Sequence, residues 1–127
     1  MIILDTHILV WLDVEEFEKI PKKMFMAIDS CNELGVSAIS LWEISMLVQK
    51  NRIDLKKKPL EWFNVIFSNP RIKLLPITSE IAAVSGELDM HGDPADRIIA
   101  ATSIAHKSKL ATIDSKLCEL ACLDIVR

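Results

Sequence analysis

Long apolar runs are missing from this 127-residue sequence. The longest, such as Ile2 to Leu4 and Ile8 to Leu12, fall far short of the roughly 20 residues that cross a bilayer. A basic start, extended apolar middle and small-residue cleavage site are missing too, so no secretory signal is read and a cytoplasmic protein is expected. Glycine is scarce: three residues leave no material for a Gly-rich phosphate loop. Cysteine is also sparse. Cys31, Cys118 and Cys122 make an odd set, and the last pair is spaced for one helix face rather than a zinc knuckle. Buried free thiols in a reducing compartment are the expectation. Nor is there an excess of basic charge. A net charge of −3 argues against a domain that holds nucleic acid by bulk electrostatics.

What is present is enough apolar material for a core, since half the residues are hydrophobic. Short apolar runs alternate with helical spacings. Ile2-Ile3-Leu4 predicts a fully buried strand ending at Asp5, with Thr6 as the cap of a helix through Leu12. Pro21 opens a second helix, and Leu34 to Ser37 predicts a strand. Ser40 is the expected start of a helix that ends near Lys50 and Arg52, where the dipole favours cations. Pro59 starts another helix, Ile72 to Leu75 a strand, and Thr78 or Ser79 a helix to about Leu88. Asp93-Pro94 begins a helix to about His106. Leu110 to Ile113 is a strand, Ser115 to Leu120 a short helix, and Asp124 to Val126 a last strand. No repeat or flexible linker divides the chain, so one α/β domain with a parallel sheet covered on both faces is expected.

In such sheets ligands bind beyond the carboxyl ends of the strands, where strand order reverses. Asp5 and Asp114 follow predicted strands, and Glu43 and Asp96 fall in the first turns of predicted helices. Each has a bland reading. Asp5 ends a strand, Glu43 completes a capping box with Ser40, Asp93 and Asp114 cap helices, and Asp96 favours a helix start. As a set they share one rim. Two carboxylates about 5 Å apart repel by roughly 3 kcal/mol at an effective dielectric of 20, which a divalent cation offsets. Oxygen-only ligands without cysteine suit Mg²⁺ or Mn²⁺, and a hard cation there points to phosphodiester hydrolysis.

The other side chains discriminate less. His7, His91 and His106 read as surface or packing residues. Trp11, Trp42 and Trp62 lie on apolar helical stretches and read as core or subunit contacts. Lys50, Arg52, Lys56, Lys57 and Lys58 form a cluster that is either a solvated face or an RNA backbone track.

Three segments carry a family resemblance: MIILDTHILVWL, VSAISLWEISMLVQKNRI and HGDPADRIIAATSIAHKSKLATID. In this order they resemble PIN-domain ribonucleases, and more narrowly VapC-type toxins of toxin–antitoxin pairs, over nearly the whole chain. The resemblance implies a PIN-like α/β/α domain over residues 1–127 with a central, mostly parallel sheet. It implies that Asp5, Glu43, Asp96 and Asp114 bind Mg²⁺ or Mn²⁺ and catalyse in-line attack of water on RNA. Thr6 and Thr112 match supporting hydroxyls, and Asp93 matches an accessory acid. Lys50, Arg52 and Arg97 are the candidate RNA contacts. A homodimer and a cognate antitoxin that occludes the site are the implied partners. An aspartate-dependent phosphatase is the rival enzyme, but its second Asp would stand where His7 does. A non-catalytic protein-binding module is the other rival.

Overall fold

The computed structural model describes residues 1–127. Its elements are β1 (Ile2–Leu4), α1 (Thr6–Asp13), a 3₁₀ turn (Phe17–Lys19), α2 (Lys22–Ser30), β2 (Leu34–Ser37), α3 (Ala38–Gln49) and α4 (Pro59–Phe67). Then follow β3 (Ile72–Leu75), α5 (Ser79–Glu87), α6 (Pro94–Ala105), β4 (Lys109–Ala111) and α7 (Ser115–Cys118). No helix is long and apolar enough to cross a membrane.

The strands form one sheet in the order β3-β2-β1-β4, every pair parallel. The two-residue period of a strand sends alternate side chains to opposite faces, and both faces are buried. Ile2, Leu4, Leu34 and Val36 pack with Ile8, Leu9, Ile28, Ile44 and Trp62 in one cluster. Ile3 and Leu110 pack with Ile99, Ala100, Leu117 and Ile125 in the other. Strand order reverses between β1 and β4, so the crevice expected for a ligand opens above those two strand ends.

Gly35 stands where the sheet leaves no room. A Cβ there would lie 2.7 Å from Leu75 Cδ1, 3.1 Å from Met1 Sδ and 3.2 Å from Ile3 Cγ1. Gly35→Ala should therefore destabilise the protein by about 1–3 kcal/mol, the range for overpacking a filled core. A denaturant midpoint equal to or above that of the parent would show that Leu75 yields without cost.

Several boundaries differ from those expected, each for a local reason. Asp5, not Thr6, caps α1, because its carboxylate accepts from the Thr6 amide. Ser37, not Ser40, caps α3 by accepting from the Ile39 amide, so the helix starts earlier. Ser40 is instead fully buried and bonds to the Thr6 hydroxyl at 2.9 Å. Glu43 therefore lies in the second turn, and the capping box does not form. The expected last strand is reduced to a single bridge between Leu110 and Ile125. Of the tryptophans, Trp62 is buried and donates to Asp13 at 2.6 Å, whereas Trp42 is 51% exposed. The thiols are free but not buried: Cys31 and Cys118 are partly covered and Cys122 is exposed beyond the end of α7.

Candidate active site

Asp5 is the buried centre of the site. It leaves β1 and caps α1, with Oδ1 accepting from the Thr6 amide at 2.8 Å and Oδ2 from the Thr112 hydroxyl at 2.6 Å. Thr112 in turn accepts from the Asp114 amide at 3.0 Å. One hydroxyl thus ties the end of β1 to the loop after β4. Burial pushes the Asp5 carboxyl above its ordinary range, partly offset by the Thr112 and Thr6 bonds.

Asp114 caps α7, accepting from the Lys116 and Leu117 amides at 2.8 and 3.2 Å. Asp93 caps α6, with Pro94 at the favoured first position, and accepts from the Asp96 amide at 3.1 Å. The capping expected for these two acids is present. It leaves their remaining lone pairs free for a ligand.

Glu43, Asp93 and Asp96 bring carboxylate oxygens within 4.8 Å of one another. With Asp5 and Asp114 they line a recess of about 420 Å³ that has no lysine or arginine in its wall. Glu43 is raised by burial, with the nearby Thr6 hydroxyl working the other way and the Asp5 charge adding to the rise. Asp96 is raised to about 7, first by burial and then by the charges of Asp93, Asp5, Asp114 and Glu43. Such crowding of like charge in hard oxygen donors is what a divalent cation relieves, and cysteine is absent from the wall. The residues present therefore fit a magnesium-type ion.

Three site neighbours were not legible as such. His91 accepts from the Asp93 amide through Nδ1 at 3.2 Å, which leaves the proton on Nε2, 3.4 Å from Asp96 Oδ2. His7 and Trp11 also line the recess, their rings 5.8 Å apart. Proximity in the chain to Asp5 and Asp93 was the only available signal for the two histidines.

The expected RNA cations are not at this recess. Arg97 gives its whole guanidinium to main-chain carbonyls. Nε bonds to Ser85, Nη1 to Met90 and His91, and Nη2 to Gly86 and Leu88, at 2.8–3.4 Å. It pins the α5–α6 connection and has no donor left for a phosphate. Arg52 lines a separate recess with Lys57 and Asp54. Lys50 follows α3, about 10 Å of helical rise beyond Glu43. Arg71 likewise serves the carbonyls of Ile28, Asp29 and Cys31.

The parallel sheet, its β1/β4 crevice and the acidic rim define a class of protein. Residues 2–122 match the family model of the PIN domain, and the chain belongs to that family. Ribonuclease VapC22 of Mycobacterium tuberculosis is 34% identical over 118 residues, which are 91% of this chain and 88% of that one. Among solved structures, VapBC2 from Rickettsia felis, bound to a DNA fragment from its promoter, superposes with a TM-score of 0.72 at 20% identity. That match covers 98% of this chain and 97% of the other. FitAcB from Neisseria gonorrhoeae gives a TM-score of 0.66 at 23% identity, covering 100% and 97% of the two chains. At these identities the two structures establish the shared fold.

Proposed function

We propose that this chain is a cytoplasmic, metal-dependent endoribonuclease, the toxin of a toxin–antitoxin pair, with residues 1–127 forming one nuclease domain. The observation that carries the reading is the convergence of Asp5, Glu43, Asp93, Asp96 and Asp114 on one recess. The likeness to a mycobacterial ribonuclease supplies RNA as the substrate.

In this reading Asp5, Glu43, Asp96 and Asp114 hold Mg²⁺ or Mn²⁺, and Asp93 joins them as an accessory acid. The bound cation supplies charge neutralisation and lowers the pKa of water. Thr112 fixes the Asp5 carboxylate by its 2.6 Å bond, and the Thr6 hydroxyl ties the start of α1 to α3 by donating to Ser40. His91 Nε2 lies beside Asp96 Oδ2 at the edge of the site, with no hydrogen bond between them. The acids stand at strand ends, at the start of α6 and in the second turn of α3, rigid elements that present them at fixed separations.

A protein partner is part of the proposal. Phe17 and Val65, 43% and 52% exposed, border an apolar cleft of about 330 Å³ that also holds Leu9, Leu12, Phe25 and Ile72. Solved relatives include toxin–antitoxin complexes, and an antitoxin is the partner proposed here. A second copy of the chain is the other, and exposed Trp42 is available to such a contact.

The test is cleavage of a mixed single-stranded RNA by purified protein. EDTA should abolish it, and Mg²⁺ or Mn²⁺ should restore it. Cleavage that persists in EDTA removes the metal-centre reading. Turnover of phosphate monoesters without RNA cleavage would turn the assignment to a phosphatase.

A further inference from the structure

We propose that a second recess, lined by Lys22, Lys23 and Arg127, is the track along which the RNA backbone enters the acidic cleft. The inference rests on the ribonuclease reading above and assigns the path of its substrate.

A phosphodiester chain is repelled by five carboxylates, so even a metal-loaded site needs cations beside it to hold the flanking phosphates. Arg97 and Arg71 are spent on carbonyls, and the recess that Arg52 lines includes a carboxylate, that of Asp54. The Lys22 recess is different. It measures about 410 Å³ and has three cationic side chains and no Asp or Glu in its wall.

Its position is the second argument. Ile113, 48% exposed, lines both this recess and the acidic cleft. Thr112, whose hydroxyl holds Asp5, is also in its wall. The two depressions therefore meet at the chain leaving β4, and a strand lying in one leads to the carboxylates in the other.

The cations are also free to act. Lys22 and Lys23 are exposed and in no ion pair, and Arg127 spends only one bond, to the Cys118 carbonyl at 3.0 Å. The two lysines occupy the first turn of α2, which carries no acid. Cations at a helix start oppose the dipole, so helix stability does not explain them. Ile113, Ile125 and Val126 give the recess an apolar wall suited to the face of a ribose or base. Unstacked single strands are the form of RNA that proteins engage in this way.

The test uses full-length protein carrying Asp96→Asn, so that RNA is bound without being cut. Binding of a labelled 12-nucleotide single-stranded RNA is followed by anisotropy with Mg²⁺ between about 50 and 200 mM salt. Adding Lys22→Gln, Lys23→Gln and Arg127→Gln should weaken binding at least tenfold. It should also flatten the log–log salt slope by about 2, since each single-strand phosphate contact contributes about 0.7. Lys22→Arg with Lys23→Arg should restore affinity, which separates charge from folding. Lys50→Gln with Arg52→Gln should change Kd less than twofold. An unchanged Kd and slope in the triple variant, when the native chain cleaves RNA, would overturn the track alone. A native chain that neither binds nor cleaves RNA overturns the ribonuclease reading and the track with it.

Discussion

Asp96→Asn should cut RNA cleavage by at least about 100-fold while leaving the metal-free protein more stable than its parent. The activity loss follows from position. Losing a group that merely orients a metal ligand costs about 10–100-fold, and Asp96 is placed as a ligand itself, so its loss should cost no less. The stability gain follows from charge. Asp96 is held at about 7 by burial and by four neighbouring carboxylates, so above neutral pH the folded state carries an anion it disfavours. Asparagine keeps the shape and removes the charge. The loss of a favourable acid at the third position of α6 subtracts about 0.3–1 kcal/mol, and the Asp93 cap to that amide survives. The net expectation at pH 8 is about 1–2 kcal/mol of added stability, some 4–8 °C in Tm. A calorimetric scan in EDTA measures it. A variant that melts well below the parent would make Asp96 a structural acid.

Asp5 should behave differently. It too is raised by burial, but both its oxygens accept hydrogen bonds. In Asp5→Asn the amide nitrogen must face the Thr112 hydroxyl, which then has to accept where it now donates. Relief of charge and loss of a charge-assisted bond oppose each other at about 1–2 kcal/mol apiece. Little net change in stability is expected alongside the loss of cleavage.

The contrast between these two aspartates indicates what the sequence could disclose. Asp93, Asp96 and Asp114 announce themselves locally, because Pro94, the capping spacings and the ends of apolar runs are short-range signals. The β1 strand was equally plain, being a continuous apolar run buried on both faces. Glu43 lines the recess, but from the second turn of α3 rather than from the first turn of a helix begun at Ser40. Ser37 and Ser40 are both competent caps, and only the packing of Ser40 against Thr6, thirty-four residues away, decides between them. Arg97 was misassigned because a carbonyl clamp depends on the path of the loop from Ser85 to His91, which no periodicity encodes. Lys22 and Lys23 carry no local signal, since their neighbourhood with Ile113 and Arg127 exists only after folding. The carboxylate rim was thus legible from spacing and family likeness, whereas the destinations of the cations were tertiary facts.

The metal-free protein should lose stability as pH rises from about 4 to 7, and divalent cation should reverse that loss. Asp96 has a folded pKa of about 7 against an ordinary value of 3.8. Between those values the native state binds more protons than the unfolded chain, so the slope of unfolding free energy with pH is negative. Below about 4 both states are protonated, and above about 7 both are ionised, so the dependence flattens at each end. Asp5 and Glu43 are shifted in the same direction and add to the slope. Cation binding takes the carboxylate form, so metal affinity should climb through the same interval and stabilise the native state by mass action. Tm measured across pH 4.5–8 in EDTA should fall, and the same series in excess Mg²⁺ or Mn²⁺ should hold level or rise. The Asp96→Asn protein isolates the contribution, because its EDTA profile should be flatter than that of the parent. Parallel profiles for the two proteins, with no divergence above pH 6, would mean that Asp96 ionises as an ordinary surface acid and that the crowding in the cleft does not govern it.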